Sequence, residues 1–310
     1  MRVLVTGGAG FIGSHLVEKL LAAGHSVAIL DDFNDFYNPR IKQANIAGFA
    51  KDVEVHHADL RDDASVRNLF HREKFDVIAH LAARAGVRPS IQHPQLYYDT
   101  NVTGTLRLLE AARVTGIERF IFASSSSVYG ASKTVPFCED QHLTQTLSPY
   151  AATKIAAEFL CSTYSHLYQM RVVALRYFTV YGPRQRPDLA IHQFTRRIDA
   201  GQPINQFGNG TTRRDYTYID DVIQGTMAAL QYEGPLFDIF NLGESQTIQL
   251  KELIVAIEDA LGKKAKIKQL PEQPGDMPVT CADISKARKE LGYSPSTKFS
   301  EGLPRFVDWF

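Results

Sequence analysis

A glycine-rich turn between an apolar strand and a helix constrains the fold of this chain more than any other feature. The stretch VLVTGGAGFIGSHL places Gly8, Gly10 and Gly13 in a G-x-G-x-x-G spacing, while Gly7, Gly10 and Gly13 also fit G-x-x-G-x-x-G. Glycines there permit a tight turn and let the backbone approach a pyrophosphate, which then lies at the helix N-terminus. Because the turn follows a strand and opens a helix, it predicts a dinucleotide-binding unit.

Apolar runs alternate with helical patterns through the first half of the chain. Repeated strand–helix–strand units predict an α/β fold, a Rossmann-type doubly wound parallel sheet with helices on both faces. The expected strands are RVLVT, SVAIL, VEVHHA, VIAHL, RFIFAS and VVALRYF, and the expected helices lie near residues 12–23, 64–72, 97–115 and 149–168.

The alternation breaks after Tyr181, where loops rich in glycine, proline and arginine begin. We therefore expect a nucleotide-binding domain over residues 1–178, with a returning segment near 215–243 that includes a helix near 219–231. The remainder, mainly 179–310, is expected to form a smaller, interleaved substrate-binding domain. Shorter helices are expected there near 247–261 and 284–291.

Composition excludes several functional classes. Lys plus Arg equals Asp plus Glu, 34 against 34, so no basic excess points to nucleic acid or to a membrane surface. The longest apolar runs, such as RVVALRYF, are too short to span a bilayer. The 3 cysteines share no metal-ligand spacing and are interpreted as reduced thiols of a cytoplasmic protein without a metal site. Residues 1–5 run directly into a strand pattern, so no signal peptide is expected.

Acidic residues at the ends of the second and third strands suggest how a nucleotide would be held. Asp31 and Asp32 end the second strand, where a carboxylate can accept hydrogen bonds from the adenosine ribose. The same charge would repel a 2′-phosphate, which favours NAD over NADP, and Asp31 is the better candidate. The alternative is an acid that only caps a turn.

The segment SPYAATK predicts a possible catalytic pair. Ser148 and Pro149 form a good helix start, which places Tyr150 and Lys154 at i and i+4 on one face. A phenol beside an ammonium ionises more easily and can serve as a general base. Taken alone, the pair is equally compatible with an ordinary amphipathic helix.

Together, TGGAGFIG, ADL at 58–60, HLAA at 80–83, SSSSVYG and YAATK occur in the order typical of extended short-chain dehydrogenase/reductases. Over nearly its whole length the sequence resembles the nucleotide-sugar epimerases and dehydratases of that group. The resemblance implies that Tyr150 and Lys154 are catalytic and that Ser125 hydrogen-bonds the reacting oxygen. Asp59 would reach the adenine amino group. The NAD-binding residues implied are Gly7, Gly10, Phe11, Ile12, Gly13, Asp31, Asp32, Asp59, Leu60, Leu81, Ala82, Ala83, Tyr150, Lys154, Tyr177 and Phe178.

The resemblance also implies a reaction. Tyr150 would take the proton of a sugar 4-hydroxyl while carbon 4 gives hydride to NAD, and the 4-keto sugar would turn over before hydride returns to its other face. Dehydratases and decarboxylases of the group usually carry an acid just before V-Y-G, where this chain has Ser126 and Ser127. Epimerisation is therefore expected.

The segment RYFTVYGPRQRPDLAIHQF is very similar to the corresponding part of UDP-glucuronic acid 4-epimerases, as is RAGVRPSI. For a uronate carboxylate, Thr179, Ser126 and Ser127 could donate hydrogen bonds, and Arg186 or Arg88 could supply a positive charge. The alternative is that Arg184 and Arg186 are solvated loop residues. We expect the neutral donors to hold the carboxylate in an orientation that prevents loss of carbon dioxide from the β-keto acid.

The UDP moiety is expected to contact the later loops. By the family pattern Arg214 would meet the diphosphate, Asp276 the uridine ribose, and Gln206 with Phe207 the uracil, whereas Gln273 stands where many relatives have arginine. The helices at 97–115 and 149–168 commonly form a dimer interface in this group, so a homodimer is expected. Leu106, Leu109, Phe159 and Leu160 fit either that interface or the core.

The sequence leaves two other functions open. One is a UDP-glucose 4-epimerase or another nucleotide-sugar epimerase, which would not need Arg186 for its neutral sugar. The other is a non-catalytic, NAD-sensing scaffold, which would not need Ser125, Tyr150 and Lys154 together.

Overall fold

The computed structural model describes residues 1–272 and 277–310. Its strands are β1 Arg2–Thr6, β2 Ser26–Asp31, β3 Glu54–His57, β4 Val77–His80, β5 Arg119–Ser125, β6 Arg171–Tyr177, β7 Thr179–Tyr181, β8 Pro203–Phe207, β9 Arg213–Arg214, β10 Tyr216–Tyr218, β11 Phe237–Leu242, β12 Ile248–Gln249 and β13 Lys266–Leu270. Seven of them form a parallel central sheet in the order β3-β2-β1-β4-β5-β6-β11, which confirms the predicted fold class.

The helices cover both faces of this sheet and build the second part of the chain. They are α1 Phe11–Ala22, α2 Pro39–Ile46, α3 Asp63–Arg72, α4 Val87–Gln92, α5 Pro94–Tyr98, α6 Gly104–Thr115, α7 Pro149–Tyr168, α8 Ala190–Asp199, α9 Ile219–Ala229, α10 Leu250–Leu261, α11 Ser285–Leu291 and α12 Phe299–Trp309.

Two apolar cores lie on opposite faces of the sheet, because side chains alternate along each strand. Val3 and Val5 of β1 pack in the core that contains Leu16 of α1 and Val222 of α9. Leu4, between them, packs in the other core with residues of α3, α6 and α7. The inner strands are therefore buried on both faces, which is why they appear in the sequence as apolar runs, whereas β3 at the edge of the sheet is mostly exposed.

One predicted helix differs in the structure. The helix expected over 97–115 is divided into α5, a π-helical turn over Asp99–Thr103, and α6. Asn101 lies in that turn, and its amide bonds both the Arg84 backbone and the Thr153 hydroxyl. Such turns widen a helix by one residue and often occur at functional sites. Here the turn fixes a polar side chain between the β4–α4 loop and α7.

The second part of the chain is not a separate body strung after the first. Strand β11 joins the central sheet beside β6, and α9 packs against α1. Around this return, β7 pairs with β10, β9 with β12, and β8 with β13, while α10 packs on α8 and α12. The domain boundaries expected from sequence stay a prediction.

Within residues 1–272 and 277–310, no helix combines the length and apolar character needed to cross a membrane. In the same ranges, no cluster of three or more histidine, cysteine or acidic side chains could hold a metal ion.

Candidate active site

The glycine turn at the carboxyl end of β1 is packed too closely for side chains. Gly7 has φ +71°, and a Cβ there would lie 2.8 Å from the Ala82 nitrogen of the β4 loop. A Cβ on Gly13 would lie 2.1 Å from the Gly7 carbonyl oxygen. Gly10 precedes the first turn of α1, and no side chain caps that turn. The α1 N-terminus therefore opens into the cleft as an anion-binding site, as the spacing predicted.

Asp31 ends β2 at the same cleft and is almost completely buried. Its carboxylate accepts hydrogen bonds from the backbone N–H groups of Ala9 (3.2 Å) and Phe33 (2.9 Å). The buried ammonium of Lys42 lies 3.2 Å from Asp31 and 3.5 Å from Asp32. The carboxylate is thus fixed against the glycine turn, at the position where an adenosine ribose would lie.

Asp59 follows β3 and is paired with a neighbour. Arg61 donates to both of its carboxylate oxygens, with distances of 2.6 to 3.1 Å. Burial raises the pKa of Asp59, but the bonds from Arg61 outweigh it, so the net pKa is lowered. Asp59 and Leu60 line the cleft, and the predicted contact with adenine stays a prediction.

Two buried polar atoms at the cleft are available to bind a ligand. Among the described residues, Arg84 Nε and Thr100 Oγ1 are buried without a hydrogen-bond partner, and both side chains line the cleft. Arg84 Nη1 lies 3.3 Å from Asn34 Oδ1. Buried polar groups normally have partners. With the open helix N-terminus and Asp31, these atoms make the cleft fit a dinucleotide with a pyrophosphate and two riboses.

The three predicted catalytic side chains meet in this cleft. Ser148 accepts a hydrogen bond from the Ala151 backbone (3.2 Å) and caps α7, which carries Tyr150 and Lys154. Ser125 ends β5 and makes a 3.2 Å bond with the Ser127 hydroxyl. Lys154 donates to the Ala123 carbonyl oxygen at 2.7 Å, and its ammonium lies 6.0 Å from the centre of the Tyr150 ring. The ammonium is thus bonded to the backbone of β5 and lies near the phenol ring.

Burial dominates the electrostatics of this group. It raises the pKa of Tyr150, while the contact with Ser125 and the positive charge of Arg186 act in the opposite direction. Burial also lowers the pKa of Lys154 to about 8, against the negative charge of Glu158. The expectation from sequence was that the neighbouring ammonium makes the phenol easier to ionise. The net pKa of Tyr150 is raised, because burial outweighs the effects of Ser125 and Arg186, and the predicted effect of the ammonium stays a prediction.

The candidate uronate site lies beside the catalytic groups. Ser126 and Ser127 begin the 3-10 helix Ser126–Tyr129 after β5, and Thr179 begins β7; all three line the cleft. Arg186 also lines the cleft, with its guanidinium 5.4 Å from the centre of the Phe36 ring. It is not a free cation, because it donates to both carboxylate oxygens of Asp188 at 3.0 and 2.6 Å.

Of the remaining predicted substrate residues, Arg88 lies on α4, and Gln206, Phe207 and Arg214 lie in the second part of the chain. The Arg88 guanidinium stacks 4.5 Å from the centre of the Phe207 ring, and Gln206 donates to the Gly208 carbonyl at 3.4 Å. Arg214 donates to the Arg213 carbonyl at 2.9 Å and is half-buried. Asp276, with Gln273, lies outside the described residues. The roles assigned to these side chains stay predictions.

The structure brings the predicted NAD-binding and catalytic residues to one cleft: Gly7, Gly10, Phe11, Ile12, Gly13, Asp31, Asp32, Asp59, Leu60, Leu81, Ala82, Ala83, Ser125, Tyr150, Lys154, Tyr177 and Phe178. Sequence reasoning missed Lys42, Arg84, Asp188 and Glu158. Glu158 stands at i+4 from Lys154, and Asp188 stands two residues after Arg186, so spacing could have found both. Lys42 and Arg84 reach the site only through the fold.

Comparison with known proteins agrees with this geometry. The model of the GDP-mannose 4,6 dehydratase family matches residues 4–306. A UDP-glucuronate 4-epimerase from Thermodesulfobacterium geofontis is 43% identical over 309 residues, which cover 99% of this chain and 95% of the relative.

Two solved structures share the fold along the whole chain. The UDP-glucuronic acid 4-epimerase from Bacillus cereus in complex with UDP-glucuronic acid and NAD has a TM-score of 0.93 and 39% identity, covering 100% of this chain and 98% of that one. The UDP-glucose 4-epimerase of Thermus thermophilus in complex with NAD has a TM-score of 0.92 and 36% identity, with the same coverage. The chain therefore belongs to the GDP-mannose 4,6-dehydratase family of extended short-chain dehydrogenase/reductases.

Proposed function

We propose that this protein is an NAD-dependent UDP-glucuronate 4-epimerase that interconverts UDP-glucuronate and UDP-galacturonate. The observation that carries the proposal is the meeting of Ser125, Tyr150 and Lys154 in a cleft built for a dinucleotide, with serines instead of an acid at positions 126 and 127. The relatives named above are similar over the whole chain, which supports the same activity.

Each side chain of the catalytic group has a separate task. Tyr150 exchanges a proton with the sugar 4-hydroxyl, and Ser125 holds that oxygen by a hydrogen bond. Lys154 keeps a positive charge near the phenol, fixed by its bond to the Ala123 carbonyl. Bound NAD supplies reversible hydride acceptance at carbon 4 and a further positive charge. Asp31, the α1 N-terminus, Arg84 and Thr100 would hold the dinucleotide.

The uronate requires control of its carboxylate, because oxidation at carbon 4 gives a β-keto acid. Thr179, Ser126 and Ser127 line one side of the cleft and offer neutral donors. Hydrogen bonds to a carboxylate fix its plane as well as its position. These donors would hold the carboxylate in an orientation from which carbon dioxide is not lost.

Replacing Thr179 by valine tests this control, because valine keeps the shape of threonine but removes the hydroxyl donor. With UDP-glucuronate we expect the variant to form a UDP-pentose that the parent does not form. Product separation by ion-exchange chromatography and mass spectrometry would detect it. Ser132→Ala, outside the residues that line the cleft, is the control and should give the parent's products. Absence of pentose from the Thr179→Val reaction would contradict the proposed control.

The activity itself is tested by incubating the purified protein separately with UDP-glucuronate and with UDP-glucose. Formation of UDP-galacturonate from the first, at a much higher kcat/KM than UDP-galactose from the second, is the expected result. Preference for UDP-glucose would replace the proposal by a UDP-glucose 4-epimerase. If the protein converted neither UDP-glucuronate nor UDP-glucose, it would be a non-catalytic scaffold.

We further infer that the protein is a cytoplasmic homodimer. Its cysteines are free thiols, as is usual in a reducing compartment.

The candidate dimer interface lies on α6 and α7. On α7 Phe159 is 70% exposed, and Leu160 is half-buried, whereas Leu109 of α6 is fully buried and Leu106 half-buried. Pairing of α6 and α7 with their copies would cover Phe159. Sedimentation at the mass of one chain would contradict the dimer.

A further inference from the structure

A buried carboxylate lies directly beneath the catalytic group. Glu158, on α7, is only 6% exposed. Its Oε1 accepts hydrogen bonds from the Ser124 hydroxyl and from Arg176 Nε (3.0 Å), and its Oε2 accepts one from Arg176 Nη2 (2.8 Å). Ser124 precedes Ser125 at the end of β5, and Arg176 lies opposite Ser124 on β6. One carboxylate thus joins α7 to the ends of two strands that form the cleft.

Glu158 also stands one helical turn after Lys154. Residues at i and i+4 share a helix face, and the negative charge of Glu158 acts on the Lys154 ammonium to raise its pKa. Lys154 is 4% exposed, and its bond to Ala123 is to a neutral carbonyl. A buried ammonium without a nearby negative charge tends to lose its proton.

The other groups around Lys154 do not replace that charge. On α7 these are Tyr150 and the buried Cys161 thiol, and from β4 His80 is fully buried. Burial lowers the pKa of His80 to about 3 and raises that of Cys161, so both are neutral at pH 7. Arg176 of β6 and Arg186 of the cleft are cations. Among the described groups around Lys154, Glu158 therefore supplies the negative charge.

We propose that Glu158 is a positioning residue for the reaction, which keeps Lys154 protonated and holds α7 against the carboxyl ends of β5 and β6. The inference rests on the proposed function only in taking Lys154 as the cation that supports Tyr150. Arg176, whose guanidinium lies 4.9 Å from the centre of the Tyr129 ring, holds the carboxylate in place. The ion pair then acts on Ser125, Tyr150 and Lys154 together without touching substrate.

The test compares Glu158→Gln with the double variant Glu158→Gln and Arg176→Met. The first removes the charge and leaves the Arg176 cation without its partner, which can destabilise a protein strongly. The double variant removes the ion pair as a unit and should fold. In both, NMR of protein with ¹³C-labelled lysine follows the ionisation of Lys154, whose signal is assigned with Lys154→Met. This readout needs no sugar nucleotide, so it stands whether or not the proposed substrate is correct.

We expect the Lys154 midpoint to fall from about 8 by about one pH unit in Glu158→Gln, and by less in the double variant, because there a cation leaves together with the carboxylate. The sign follows because removal of a negative charge makes the neighbouring ammonium lose its proton at lower pH. The alkaline limb of the kcat profile, measured on UDP-glucuronate, should move to lower pH by a similar amount. An unmoved midpoint in the double variant would overturn the proposal, since Glu158 would then only neutralise Arg176.

Ser124→Ala tests only the second role of Glu158, which is to hold α7 against the strands. The substitution removes one hydrogen bond to Glu158 and leaves every charge in place. We expect about a 5-fold lower kcat, the effect of one lost hydrogen bond, with the Lys154 midpoint unchanged. If neither Glu158 variant folds and Ser124→Ala keeps full kcat, Glu158 serves folding alone and the proposal is wrong.

Discussion

Replacement of Tyr150 by phenylalanine is expected to lower kcat about 10³-fold, within the range for loss of a general acid–base group. The substitution removes only the hydroxyl, so α7, the Lys154–Ala123 bond and the glycine turn should persist. We therefore expect NAD and UDP-glucuronate to bind with nearly unchanged affinity. Single-turnover kinetics, with calorimetry for both ligands, would separate lost chemistry from lost binding.

Tyr129→Phe is a suitable control for that experiment. Tyr129 is also buried and near the end of β5, but its hydroxyl donates to Asn241 at 2.7 Å and does not line the cleft. Its loss should cost about 1 kcal/mol of stability, the value of one hydrogen bond, and leave kcat close to that of the parent. Equal kcat values for Tyr150→Phe and the parent would show that Tyr150 is not the base.

How far the fold could be predicted depends on how its strands are buried. Five strands of the central sheet, β1, β2, β4, β5 and β6, are mainly apolar runs, since both of their faces are covered, and the sequence shows them directly. The edge strand β3 was also predicted, although its residues EVHH are mostly exposed. The seventh, FDIFNL at β11, is interrupted by Asp238 and Asn241 and was not recognised as a strand. These side chains are bonded to Tyr232 and Tyr129 respectively, contacts that exist only once the chain has folded.

In the candidate site, too, local features could be predicted from the sequence, whereas contacts made only by folding could not. Tyr150, Lys154 and the glycines could be identified because their geometry is local, within one helix or one turn. Lys42 reaches Asp31 from the following helix, and Arg84 reaches Asn34 from a loop fifty residues away. Nothing in the spacing of those residues indicates that they meet. Arg186 was expected to be available to a substrate, but Asp188, two residues later, already bonds it.

The Arg186–Asp188 ion pair bears on the choice of substrate. A guanidinium has five N–H donors, so bonding Asp188 through Nε and Nη2 leaves others for a substrate carboxylate. Arg186→Gln should lower kcat/KM for UDP-glucuronate about 100-fold, the size of effect seen when one partner of a buried charge pair is removed. UDP-glucose has no carboxylate, so its much smaller kcat/KM should fall only a few-fold. A few-fold loss is expected for both substrates, because the Arg186 cation also lowers the pKa of Tyr150, which acts on either sugar.

Arg184→Gln is the matched control. Arg184 lies on the same loop as Arg186, but it donates to Glu18 of α1 at 2.7 and 2.9 Å. It should change the ratio of the two kcat/KM values by less than about 3-fold, as expected when a partly exposed ion pair is lost. The ratio, measured with each UDP-sugar as sole substrate, is the deciding quantity. If Arg186→Gln lowers both values equally, the guanidinium acts on Tyr150 or on the loop, and recognition of the uronate must come from Thr179, Ser126 and Ser127.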